Sequence, residues 1–246
     1  MNATPNLVHS AALLSLVGAT STALLWLAYS QTSVRGESHQ PALSPWALGW
    51  LAWQALIAAL ALSGFFAVYD QPWRALPTVG ATLALTAWLA LRPAHGAWFL
   101  KTPRSFWPAL QSFRLPLELL LYRLVLDGVI GQQMSFAGFN FDILVGVTAP
   151  FIAGLVWRCR ERRGVKRALI IWNLFGLALL VNIVVIAVLS IPFPFQFFTQ
   201  EPANRMVTAF PFVWLPTLLV PLAMFAHLVS LRLTLHDLRS GARSWS

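Results

Sequence analysis

Apolar residues in this chain fall in long, nearly unbroken runs, with polar residues gathered between them. The runs cover about 8–29, 45–68, 76–92, 107–130, 141–158, 168–192 and 209–231. Crossing the hydrocarbon core of a bilayer takes ~20 predominantly apolar residues in helical form. The pattern predicts an all-α protein, a polytopic transmembrane helical bundle of about seven spans forming a single domain over 1–246. The connections are short, so no soluble domain fits between the runs, and no internal repeat is visible. The N-terminal stretch MNATPNLVHSAALL has no basic n-region, so the first run reads as a retained span rather than a signal peptide.

The fourth run is the exception to the pattern. FRLPLELLLYRLVLD (113–127) is rich in leucine yet holds Arg114, Glu118, Arg123 and Asp127. Residues four apart share a helix face, so Arg114 is expected to pair with Glu118 and Arg123 with Asp127. Such pairing matters because an unpaired charge near the bilayer centre costs about 2.5–3.5 kcal/mol on insertion scales. Gln111 and Tyr122 extend the Arg114/Glu118 face into a polar stripe, and Pro116 within it frees a backbone carbonyl. The pair reads either as an ion lock between helices or as a site for an ion, proton or polar ligand. A re-entrant or surface-lying helix is the alternative to full crossing here.

Charge placement predicts sidedness. With seven spans and an external N-terminus, one side holds Arg35, then Arg92, Lys101 and Arg104, then Arg158, Arg160, Arg162, Arg163, Lys166 and Arg167, and finally Arg232, Arg239 and Arg243. The other side holds only Arg74 and Arg205. This bias places the C-terminus in the cytoplasm. Trp26, Trp46, Trp50, Trp88, Trp98, Trp107 and Trp157 fall near the predicted inner ends, where amphipathic rings favour the headgroup level. Small residues at Gly146, Pro150 and Gly154 mark a face for close helix packing.

Other polar residues add candidates. The outer loop GQQMSFAGFNFDILVG (131–146) sets Gln132, Gln133, Asn140 and Asp142 near Asp127. Asp142 is expected to cap the following helix, with a ligand-binding polar mouth as the alternative. The loop IPFPFQFFTQEPANR reads as a lid or plug beside it. Asn173 and Asn182 are expected to make interhelical hydrogen bonds, and Asn182 lies at a depth from which it reaches Glu118. Of five histidines, only His95 with His227 approaches the matched depth a bis-histidine haem needs. No metal or catalytic motif is present, so neither a metal nor another cofactor is expected.

Composition agrees with the pattern. Hydrophobic residues make up 58% of the chain and charged residues 10%, too few charges to cover a soluble domain of this size. The net charge of +9 lies in loops, so it points to the membrane rather than to nucleic acid. The run Arg158 to Arg167 suits anionic lipid headgroups, at ~1 kcal/mol per basic residue. Cys159 is the single cysteine, which excludes an intramolecular disulfide. Both lysines lie in loops, so no buried amine is available for a retinal Schiff base.

The segments QQMSFAGFNFDILVGVTAP (132–150) and PFVWLPTLLVPLAMFAHLVSLR (211–232) resemble a group of uncharacterised bacterial multi-pass membrane proteins. The resemblance covers about a sixth of the chain. It implies a bacterial inner-membrane location and carries no activity. In that group an acidic residue is common where this chain has Ala137, so a role for that carboxylate is absent here.

Three functions remain open from the sequence. A small-solute or ion transport or binding protein would use Arg114, Glu118, Tyr122, Arg123, Asp127, Gln132, Gln133, Asn140, Asp142 and Asn182. A non-catalytic membrane subunit or scaffold would bind a protein partner or a second copy of itself. A lipid- or quinone-directed enzyme ranks last, because nothing positions a nucleophile or metal.

Overall fold

The computed structural model describes residues 4–33, 45–93 and 99–243; for 25–33, 45–47 and 241–243 it describes the backbone alone. The helices with both ends among the described residues are α1 (Leu7–Ser33), α2 (Pro45–Leu62), α3 (Leu76–Leu91), α4 (Phe106–Leu110), α5 (Arg114–Leu126), α6 (Ile143–Cys159), α7 (Arg163–Leu189) and α8 (Val220–Arg243). No strand occurs among the described residues. Each of the seven apolar runs is helical, and the fourth is divided. A 3-10 turn over Gln111–Phe113 joins α4 to α5. Pro116 explains the tightening, since it lacks the N–H that would bond the Ser112 carbonyl in a regular α-helix. A π-helical turn, Leu215–Leu219, leads into α8 and contains Pro216.

Four helical stretches are long and apolar enough to cross a membrane: Leu7–Leu24, Pro72–Leu91, Arg163–Leu189 and Leu215–Ser240. Leu48–Leu62 and Ile143–Cys159 are apolar but shorter. Threonine hydroxyls within these helices donate to carbonyls one turn back, as Thr82 does to Thr78 and Thr86 to Thr82, both at 2.7 Å. That leaves fewer polar hydrogens facing an apolar surround.

The most enclosed stretch is Leu215–Ser240, with 61% of its apolar window buried, against 11% for Pro72–Leu91 and 17% for Leu7–Leu24. The first is therefore the axis of the bundle, and the other two turn most of their apolar surface outward. Around the axis, Leu219, Leu222, Ala226 and Val229 join Trp107, Leu121, Leu124 and Ile183 in one apolar core. Gly146 sets the closest approach. A Cβ there would stand 2.5 Å from the Leu115 nitrogen, so α6 lies backbone to backbone against the start of α5. The small-residue face is narrower than the sequence predicts, because nothing approaches Gly154 within 4 Å. Trp107 also departs from the interfacial belt. It is buried, donates to Thr102 Oγ1 at 2.9 Å, and packs edge-on against Phe99 and Phe225.

Polar segments meet one another at the two ends. At one end Arg104 holds Asp237 through two hydrogen bonds of 2.9 and 3.1 Å, and Arg232 donates to the carbonyls of Ala90 and Arg92. At the other, Gln133 donates to Ser190 Oγ and Phe139 packs on Phe198, so the two aromatic loops touch. Arg35, His39, His95 and Trp98, with the side chains of Trp26, Trp46 and Arg243, lie outside the described residues, so the pairing of His95 with His227 does too.

Candidate functional site

The polar stripe of the fourth run is buried inside the bundle. Arg114, Glu118 and Asp142 keep only 1, 2 and 5% of their surface exposed. Gln111 is equally enclosed and donates to the Ala223 carbonyl at 2.9 Å, tying the 3-10 turn to α8. The close packing at Gly146 brings Asp142, one turn earlier in the chain, to the head of α5. Arg114 Nη2 lies 3.0 Å from Asp142 Oδ2. The guanidinium thus pairs across helices with Asp142, not with Glu118 one turn along its own helix. Asp142 stands at the start of α6 but makes no side-chain cap bond, so the expected capping role gives way to the ion pair.

Hydrogen bonds run on from Arg114 in a single direction. Its Nη1 lies 3.3 Å from His227 Nε2, and His227 Nδ1 lies 2.9 Å from Asn173 Oδ1. A guanidinium only donates, so Nε2 accepts, and the ring proton on Nδ1 donates to the amide oxygen. The Asn173 amide then donates to Ser230 Oγ at 3.0 Å and to the Leu169 carbonyl at 2.7 Å. The network fixes the neutral tautomer of His227 and links α5, α7 and α8. Gly176 makes room for the ring, since a Cβ there would collide with the imidazole.

Glu118 has a different partner. Asn140 Nδ2 donates to its two oxygens at 2.7 and 2.9 Å and also faces the Met134 carbonyl at 3.1 Å. The Asn140 oxygen accepts from the Asp142 N–H at 3.1 Å, which fixes the amide orientation. Two amide hydrogens therefore serve three acceptors, and a carboxylate offers about four lone-pair sites. Glu118 keeps acceptor capacity to spare. Asp142 Oδ1 and Arg114 Nη2 are both buried without a hydrogen-bond partner among the described residues, so the Arg114–Asp142 contact is an ion pair and not a hydrogen bond.

Both carboxyl groups line one cavity of about 110 Å³. Its walls come from the starts of α3 and α8, the middle of α5 and the last turns of α7, with Leu121, Ile183, Val184, Val213 and Val220 prominent. The π-turn residues Leu215, Pro216 and Thr217 also line it. π-turns recur at functional sites.

The remaining predicted residues separate from this centre. Arg123 and Asp127 form the expected pair, 2.9 and 3.1 Å apart at their two contacts. His9 joins them through Nε2, 2.9 Å from Asp127 Oδ2, while its Nδ1 accepts from the Asn6 N–H. Tyr122 packs on Phe136 with ring centres 4.7 Å apart. Gln132 bonds within its loop to the Ala137 carbonyl. Asn182 donates to the Phe139 carbonyl at 2.8 Å instead of to Glu118. In the basic run, Arg160 and Lys166 flank Glu161; Arg158 packs over Trp157, and Arg162, Arg163 and Arg167 complete the end. No group of three or more potential metal ligands occurs among the described residues. The sequence reading weighed His227 only as a haem partner of His95, and Ser230 escaped it. Their signal was the spacing of His227 and Ser230 one turn apart in the apolar first half of α8.

The family model described as a domain of unknown function, DUF8737, matches residues 71–235, about two thirds of the chain. The chain belongs to that family. The match contains the whole buried network from Arg114 to Ser230 and leaves His9 outside it. No curated protein and no solved structure matches the chain.

Proposed function

We propose that this member of the DUF8737 family is a seven-span bacterial inner-membrane protein that binds a small solute or ion for transport. Its N-terminus is outside, its C-terminus is cytoplasmic, and its Arg158–Arg167 end meets anionic lipid headgroups. The observation that carries the reading is the mainly apolar cavity that Glu118 and Asp142 both line. Apolar walls with few polar groups converging at one end are the usual form of a small-molecule site. Charge balance adds support. Arg114 compensates one carboxylate, and the second carboxyl group requires a proton or a cation from elsewhere to stay neutral in a low dielectric.

Native mass spectrometry of the gently purified protein tests this. A monomer carrying a small-molecule adduct, lost in a folded Glu118→Gln variant, is the expected result. An adduct that Glu118→Gln leaves unchanged would overturn the site. So would a partner chain or stable oligomer without any small-molecule adduct, which is the outcome a scaffold predicts. Sidedness has its own check. Cys159 lies beside the basic end, so a membrane-impermeant maleimide should label it only from the cytoplasmic side, and labelling of intact spheroplasts would reverse the orientation.

A further inference from the structure

Resting on that reading, we propose that the cavity selects a small organic monocation: a protonated amine with an apolar body no larger than a short alkyl chain or a single ring. Three properties of the walls lead there, and each removes a class of ligand.

Size comes first. At about 110 Å³ the cavity is well below the ~300–1,000 Å³ of sites for drug-sized ligands. It is nearer the ~150 Å³ apolar cavity that holds one benzene.

The second property is hydrogen-bond polarity. Thr78, Thr208 and Thr217 line the cavity, and each hydroxyl donates to a backbone carbonyl one turn back: Arg74, Arg205 and Val213. The cavity's side chains therefore have acceptors left and their hydroxyl donors already committed. Arg114 is engaged with Asp142 and His227. With both carboxyl groups ionised, the lining side chains offer an anion no free donor. A ligand carrying N–H groups finds the spare lone pairs of Glu118, which lines the cavity.

The third is the balance of apolar and charged surface. A bare metal cation would want about six oxygen ligands, whereas most of the lining is hydrocarbon. An ammonium group is satisfied by a few acceptors, and its alkyl body gains by burial against Leu121, Ile183 and Val213 at ~25 cal/mol per Å². A single positive charge also completes the neutralisation of two carboxylates by one guanidinium.

The test uses the full chain in detergent and follows tryptophan fluorescence on heating. Three probes are added at matched concentration and ionic strength: n-butylammonium chloride, n-butanol and sodium chloride. Butylammonium should raise Tm saturably, and the other two should not. Glu118→Gln should weaken the apparent affinity about tenfold or more. Ala187→Leu, which fills the cavity without touching a charge, should abolish the response while leaving the unliganded protein folded. An equal response to butanol would overturn the requirement for a cation, and an equal response to sodium would overturn the requirement for an organic body. No response to any probe, with an adduct still lost in Glu118→Gln on native mass spectrometry, would sink this inference alone. No response and no adduct would sink the binding site as well.

Discussion

Removing Arg114 and Asp142 together should harm the fold far less than removing either one. The guanidinium and carboxylate are 3.0 Å apart, and both side chains are nearly inaccessible, at 2 and 7%. Breaking a buried pair from one side strands a charge, which costs about 3–5 kcal/mol. Arg114→Met should show that loss, because Asp142 then faces only its own backbone and the cavity. Asp142→Asn should lose a similar amount by stranding the guanidinium, which retains a neutral imidazole as its other partner. In Arg114→Met/Asp142→Asn neither charge remains, and an apolar or neutral replacement of a buried pair is often close to neutral. The double variant should therefore sit within about 2 kcal/mol of the parent, giving a coupling energy of about 3 kcal/mol or more. That exceeds the ~0.6 kcal/mol typical of an interhelical hydrogen bond in a membrane protein, so the two effects can be told apart. Reversible denaturant unfolding in mixed micelles, run as a double-mutant cycle, provides the measurement. Additive losses, with coupling under about 1 kcal/mol, would refute the claim that the pair acts as a charge-compensated unit.

Two glycines make contrasting predictions. Gly146→Ala forces its new methyl against the Leu115 backbone and should cost about 1–3 kcal/mol as overpacking. Gly154→Ala meets open space and should be neutral or slightly stabilising by helix propensity; equal effects in thermal unfolding would deny the close approach. Gly176→Ala should displace the His227 ring, and adding His227→Ala should recover much of the lost stability. An unchanged imidazole NMR signal in Gly176→Ala would show that the ring is not seated there.

How much of this was legible follows from the range of the interactions. The helices were legible because a run of apolar residues is a local property, and each of the seven runs is helical. The Arg123–Asp127 pair was legible for the same reason, being four residues apart on one helix. The Arg114 partner was not. The i,i+4 rule offered Glu118, but the choice was made by Gly146, which draws α6 onto α5 and brings a carboxylate 28 positions along the chain within 3.0 Å. The capping role expected of Asp142 failed through the same contact. His227 was weighed only against His95 because its actual partners, Arg114 and Asn173, lie 113 and 54 residues away.

Arg114 and Glu118 share a face one helical turn apart, yet they present different physical problems. Arg114 is accounted for by structure alone. It has an anion, its imidazole neighbour passes the hydrogen bond on to Asn173 and Ser230, and the chain of donors ends on α8 with every link facing the right way. Glu118 has no cation within ion-pairing distance among the described residues, and its two oxygens share one amide group that also serves a backbone carbonyl. Packing gains nothing from a carboxyl group in that position, since an apolar side chain of similar volume would fill it without a desolvation cost. Asp142 divides the same way, with Oδ2 on Arg114 and Oδ1 on no protein donor. Both residues line one cavity, and Arg114 is not among its lining residues. The structural and ligand-binding readings of the stripe therefore apply to different atoms. Arg114 and Asp142 Oδ2 join α5 to α6, and on the proposed reading Glu118 is the group that meets a ligand.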